Sequence, residues 1–279
     1  MKEPYRIYND IEACIQEVNK FQLKDIIINE VFYSGRSIRF LDRIPTVESV
    51  HITSDKIDDF SSLYEMPNLK KLIIDATLKK SLDLNFLDLE ELSINWSKKV
   101  IGLSSLVNLK KISLSSYSPL RKDLKELENM KNLEKLELIK GNIESLKGLR
   151  KVNNLKELSL FDLKYLRSLS SSENKSDRMT DIEIQGCHKI SDMKYVSCYK
   201  NLRSLIISKM GKIPSLQFVT RMKHLEHFVI LDTEIEDGDL TPCLGIDYVR
   251  FDEKNWYSHS NATFKKANGL AKKQKRTSH

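Results

Sequence analysis

The chain has 279 residues, 40% of them hydrophobic and 30% charged, enough to build a large core in one or two domains. Its formal charge is +7, but six of those charges, Lys265, Lys266, Lys272, Lys273, Lys275 and Arg276, follow Phe264 with no acid among them. The body is thus nearly neutral, which argues against nucleic-acid binding by the body, and no run of about 18 apolar residues exists that would suggest a membrane span.

Met1 to Asp10 lacks the apolar stretch of a secretory signal, so a cytoplasmic location is expected. Cys14, Cys187, Cys198 and Cys243 show no C-x-x-C spacing and are expected as reduced thiols. From Asp10, a possible N-cap, Ile11, Cys14, Ile15, Val18 and Phe21 fall at helical spacing. Residues 1–22 are therefore read as a helical cap over the first repeat.

A pattern L-x-x-L-x-L, with conservative swaps, begins at Leu23 and recurs at Val47, Leu69, Leu89, Leu109, Leu133, Leu155, Met179, Leu202, Leu225 and Ile246. The eleven starts lie 20 to 24 residues apart. Each predicts a short strand with alternate residues pointing inward. In the repeat starting at Leu133 the strand is followed by Ile143, Leu146, Leu149 and Val152, a spacing of three that suits a 3₁₀ segment. No such unit buries its own apolar edge, so each needs a copy on either side. The repeats starting at Leu69 and Leu89 span only 20 residues and leave little room for helix, whereas Lys122–Asn132 is long enough for a helical turn or two. Ser168–Arg178 is polar and aperiodic and reads as a loop. Trp256, Tyr257 and Phe264 are expected to cover the open end.

These repeats resemble leucine-rich-repeat proteins of the roughly 22-residue SDS22-like and internalin-like class. The resemblance covers about residues 23 to 251. It implies an α/β leucine-rich-repeat solenoid with about eleven parallel strands on a concave face that binds another protein, and short 3₁₀ or α segments and loops on the convex face. The sequence departs from the family where an Asn is expected after each strand: most of those positions hold other residues, among them Thr77, Tyr117, Gly141, Leu163, Cys187 and Thr233. The expected organisation is 1–22 cap, 23–251 solenoid, 252–264 C-terminal cap and 265–279 basic disordered tail.

No catalytic, cofactor-binding or metal-binding set is evident. Cys187 precedes His188, but its inward turn position favours packing over a nucleophile. His224 and His227 lack a third zinc ligand, and no phosphate-binding glycine loop is present. The chain is read as a non-enzyme without cofactors. The open sheet face carries the candidate partner-binding residues: apolar Ile139, Phe161, Ile206, Val229 and Leu231 beside acidic Glu137, Glu157, Asp181 and Glu183. The expected activity is binding of a protein partner by a monomer, as an adaptor or as an inhibitor of immunity type that neutralises an enzyme such as a toxin. The alternative is an anionic surface or nucleic acid held by the basic tail. Acids on the sheet face disfavour nucleic acid there, and no membrane association is expected.

Overall fold

The computed structural model describes residues 3–169 and 178–262. The chain forms two compact units, Met1–Ser118 with Asn129–Leu133, and Pro119–Glu128 with Glu134–His279. Each carries six strands of the main parallel sheet.

The first unit contains β1 (Tyr5–Ile7), helix α1 (Ile11–Phe21), β2 (Asp25–Ile28), β3 (Ser49–Ile52), β4 (Lys71–Ile74), β5 (Leu82–Asp83), β6 (Glu91–Asn95), β7 (Val100–Ile101) and β8 (Lys111–Tyr117). Its main sheet runs β1-β2-β3-β4-β6-β8, with β5 and β7 paired separately. The second unit contains β9 (Lys135–Gly141), β10 (Glu157–Phe161), β11 (Asp181–Gln185), β12 (Ser204–Ile213), β13 (His227–Ile235) and β14 (Tyr248–Phe251), hydrogen-bonded in sequence order.

Strands form here because their inward residues have matching neighbours to pack against. Ile26, Val50, Leu72 and Leu92 stand side by side in the first unit, and Leu136, Leu158, Ile182, Leu205 and Phe228 do so in the second. Leu136 and Leu138 are fully buried. Ten of the eleven repeat starts are buried, and only Leu23, beside the terminal helix, stays half-exposed.

Besides the short pair β5–β7, the sequence pattern misses one main-sheet strand. β1 lies within the expected helical cap and pairs in register with β2, Tyr5 to Ile26 and Ile7 to Ile28. Only three residues long, it has no L-x-x-L-x-L signature, yet Ile7 enters the core at 1% exposure. Helix α1 follows, with the Asp10 carboxylate accepting from the Ala13 amide at 3.1 Å. Gln22 ends it in the left-handed region, φ 50°.

Across from the sheet, the described residues hold 3₁₀ turns. The stretch Lys122–Asn132 gives only Lys125–Leu127 rather than a helix. Its Asp123 carboxylate accepts from the Lys125 amide at 3.1 Å, and the same Asp-to-second-amide bond opens the turns at Asp59, Asp83, Asp192 and Asp239. This local bond starts a tight turn more readily than an α-helix. The two 20-residue repeats add the β5–β7 pair just before their 3₁₀ turns, Leu84–Phe86 and Leu103–Ser105.

After β14, the Ile235 amide donates to the Tyr257 hydroxyl at 2.8 Å, and Trp256 lies over Gly238, where a Cβ would meet its ring at 2.7 Å. Trp256 itself stays 46% exposed. Phe264, the basic residues after it and most of the Ser-rich stretch lie outside the described residues.

Two substitutions check this packing. Leu136→Ala and Leu158→Ala should each lower unfolding free energy by about 2–5 kcal/mol in denaturant titrations, since each opens a cavity between fixed neighbours. Gly148 sits at φ +115° with a notional Cβ 2.3 Å from the Leu124 carbonyl oxygen. Gly148→Ala should therefore cost about 1–3 kcal/mol, because the obstruction is backbone; a neutral result would contradict the geometry.

Candidate functional site

The open face of the second unit is ordered into rows by strand register. One row reads Lys135, Glu157, Asp181, Ser204, His227, Tyr248. The next reads Glu137, Ser159, Glu183, Ile206, Val229, Arg250, and the third Ile139, Phe161, Gln185, Ser208, Leu231. All nine candidate residues thus share one sheet face. Ile139 and Phe161 are direct cross-strand partners, as are Ile206 and Val229.

The apolar members are less open than their alternation suggests. Ile139, Phe161, Ile206 and Leu231 are half-buried, and Val229 is only 8% exposed. Parallel strands sit about 4.8 Å apart, so flanking side chains cover much of each residue. Val229 is flanked by Ile206 and Arg250. It is a floor residue rather than a protruding anchor.

The acids differ among themselves. Glu157 takes an ion pair from Lys135 at 2.7 Å, and that hydrogen bond holds the Lys135 ammonium above the ordinary lysine range. Asp181, the next residue in the row, is exposed, whereas Glu183 and Glu137 are half-buried. His227 stacks flat on Tyr248 with ring centroids 4.7 Å apart, which places it in the sheet face rather than in a metal site. Among the described residues no group of three His, Cys, Asp or Glu is placed to hold a metal ion.

The sequence reading did not foresee the charge ladders. In the first unit Glu91 is gripped by Lys111 at 2.6 Å and Lys71 at 3.3 Å. Burial pushes the Glu91 carboxyl up, but the two lysines outweigh it and leave it below the usual range. Beside them, Lys24–Glu48 (2.6 Å) and Lys110–Glu90 (2.7 Å) link the positions just before the strands. The alternating Lys and Glu at matching repeat positions was the available signal.

Nor did it find the asparagines. The family's Asn after the strand is missing, but Asn68, Asn108 and Asn132 stand just before the repeat starts. Asn68 donates to the Pro45 carbonyl at 2.9 Å, Asn132 to the Val107 carbonyl at 3.4 Å, and Asn108 to the Asp88 carboxylate at 2.9 Å. The N-L dipeptide opening these repeats marks them. A cleft of about 540 Å³ lies along this flank, lined by Tyr64, Phe86, Lys70, Lys110 and Asn132 among others.

After the strands, the turns use backbone instead of Asn. Ser116, Lys140, Asp162, Gly186, Lys209 and Asp232, each seven residues past its repeat start, all have φ between 48° and 66°. Cys187 follows Gly186, buried, its thiol 3.4 Å from the Gln185 carbonyl and 3.6 Å from that of Leu160. Burial pushes this thiol up to about 11 and that of Cys243 to about 12, the opposite of what a nucleophile needs.

No protein-family model matches the chain, and no curated protein matches its sequence. Among solved structures, the chain is similar to an internalin (inlF) of Listeria monocytogenes, with TM-score 0.57 and 19% identity over 88% of this chain and 71% of that one. It also aligns with internalin C2 of the same organism, at TM-score 0.35 and 13% identity over 76% and 74% of the two chains. For the functional domain of its InlJ the values are 0.43 and 14% over 82% and 44%. The first of these likenesses supports the leucine-rich-repeat fold; the other two are too distant to add to it. No helix among the described residues is long and apolar enough to cross a membrane.

Two outcomes follow. Among the cysteines, Cys198 is exposed and the other three are buried, so one thiol should react with a disulfide reagent at pH 8 in the folded chain and four after unfolding. The Lys135–Glu157 pair is open to solvent, at 43% and 47% side-chain exposure. Glu157→Gln should shift unfolding free energy by under about 1 kcal/mol.

Proposed function

We propose that this protein is a non-enzymatic binding module whose partner is another protein, seated on the open sheet face of the second unit. The observation that carries the reading is the pairing of Ile139 with Phe161 across β9 and β10, beside Glu157, Asp181 and Glu183 on β10 and β11. An aromatic ring offers a large contact area for few frozen torsions, and acids around it set orientation. The leucine-rich-repeat fold supports such a role by presenting a broad sheet face on rigid elements. The complementary surface is an apolar knob flanked by Lys or Arg. Ile206 and Leu231 supply a second apolar contact, with Val229 as its floor. An adaptor or an inhibitor that neutralises an enzyme would use the face in the same way, and cytoplasmic action as a monomer fits the sequence reading.

The test is a comparison of two double variants against the unmodified chain, with partners captured from cell extract, identified by mass spectrometry and then measured singly. Phe161→Ala with Leu231→Ala should speed dissociation at least about tenfold, whereas Glu157→Lys with Glu183→Lys should slow association several-fold and reduce its salt dependence. Both variants should keep cooperative unfolding. Unchanged kinetics in both would move the interface off this face.

A further inference from the structure

The charge left on the second unit's sheet face has a counterpart in the chain itself. Strands β9, β10 and β11 carry Lys135 and Lys140 against Glu137, Glu157, Asp181 and Glu183, two cations to four acids, a net −2. The corresponding three strands of the first unit, β4, β6 and β8, present Lys71 and Lys111 against Glu91, a net +1. The acids of β9–β11 are therefore a local excess rather than a property of the sheet. In contrast, the segment after Phe264 holds six cations and no acid.

That segment leaves the described structure at the end of β14, a strand of the same sheet. The Asn261 side chain donates to the Phe251 carbonyl at 2.8 Å and accepts from the Phe251 amide at 3.3 Å, which fixes residue 261 at the end of β14. From β14 to β11 is three strand spacings and to β10 four, about 14 and 19 Å. Lys272 stands ten residues beyond Ala262, within reach of about 33 Å of extended chain. Lys272, Lys273, Lys275 and Arg276 can thus all meet Asp181, Glu183 and Glu157.

We infer that the basic segment Lys265–Arg276 docks on the acidic β9–β11 face of its own chain and competes there with the partner. Local concentration favours it: a segment tethered within tens of ångströms acts at an effective millimolar level, so individually weak charge contacts suffice. A partner must then displace the segment, and salt or an acidic competitor for the segment would expose the face. The docking depends on no partner, whereas the competition rests on the proposed function.

The test uses full-length chains and a fluorescent peptide copying residues 263–279. In one variant Lys265, Lys266, Lys272, Lys273, Lys275 and Arg276 are all changed to Gln. The peptide should bind this neutral variant at least about tenfold tighter than the unmodified chain, whose own segment already fills the face. Binding should weaken several-fold between 50 and 300 mM salt, and should vanish when Glu157→Lys and Glu183→Lys are added to the neutral variant. Equal affinity for the unmodified and neutral chains would overturn the inference, as would binding that survives the acid reversal. A dimer seen by sedimentation in the unmodified chain and lost in the neutral variant would also overturn it, by placing the segment on a second copy. If the peptide fails to bind while partner kinetics still respond to the acid reversal, the inference falls and the proposed function stands.

Discussion

Every feature of this chain depends on one constraint: a repeat of 20 to 24 residues cannot bury its own apolar edge. Leu136 reaches full burial only because Leu158 stands beside it in register, and Leu158 in turn leans on Ile182. Fully burying such a side chain contributes roughly 1.5–3 kcal/mol, and each contribution is shared between neighbours. The ends must therefore be covered. In the first unit α1 and β1 do this, with Cys14, Val18 and Ile7 buried. In the second unit the chain after β14 does this, with Tyr257 tied to Ile235 and Ser258 to Leu240.

The same register that fills the core writes the surface. Because inward residues are aligned, outward ones are too, and charges at matching positions become ladders such as Lys71–Glu91–Lys111. These exposed pairs add little stability; their effect is to neutralise one stretch of sheet face. Where the alternation fails, at Asp181 and Glu183, negative charge is left over beside Phe161. The charge of this face thus follows from an irregularity in the repeat. The left-handed turns at Lys140, Asp162 and Lys209 belong to the same logic. Non-glycine residues tolerate this strained region, at about 1 kcal/mol each, because strand and core fix the chain on both sides.

Much of the fold was legible because its signal is repeated. An apolar triplet at eleven near-constant spacings fixes strand position, and the rows of Ile139, Phe161 and Leu231 follow from it by counting. What is not repeated was not legible. β1 has a single inward Ile7 and three residues, too little for any pattern. The stretch Lys122–Asn132 has helical composition, but Asp123 bonds the Lys125 amide and closes a 3₁₀ turn first. The site was legible as a list of outward residues but not as a relief. Alternation says that Val229 points away from the core, but not that Ile206 and Arg250 then cover it. Nor could composition show that Glu157 is already paired with Lys135.

The most direct test of register as the organising constraint is a double-mutant cycle on unfolding free energy. Leu136 and Leu158 are neighbours in adjacent strands, whereas Leu136 and Phe228 are four strands apart. For Leu136→Ala with Leu158→Ala the account expects a coupling of about 0.5–3 kcal/mol, and for Leu136→Ala with Phe228→Ala additivity within about 0.5 kcal/mol. Equal coupling in the two cycles, or none in the first, would contradict nearest-neighbour stacking and with it the rows that order the open sheet face.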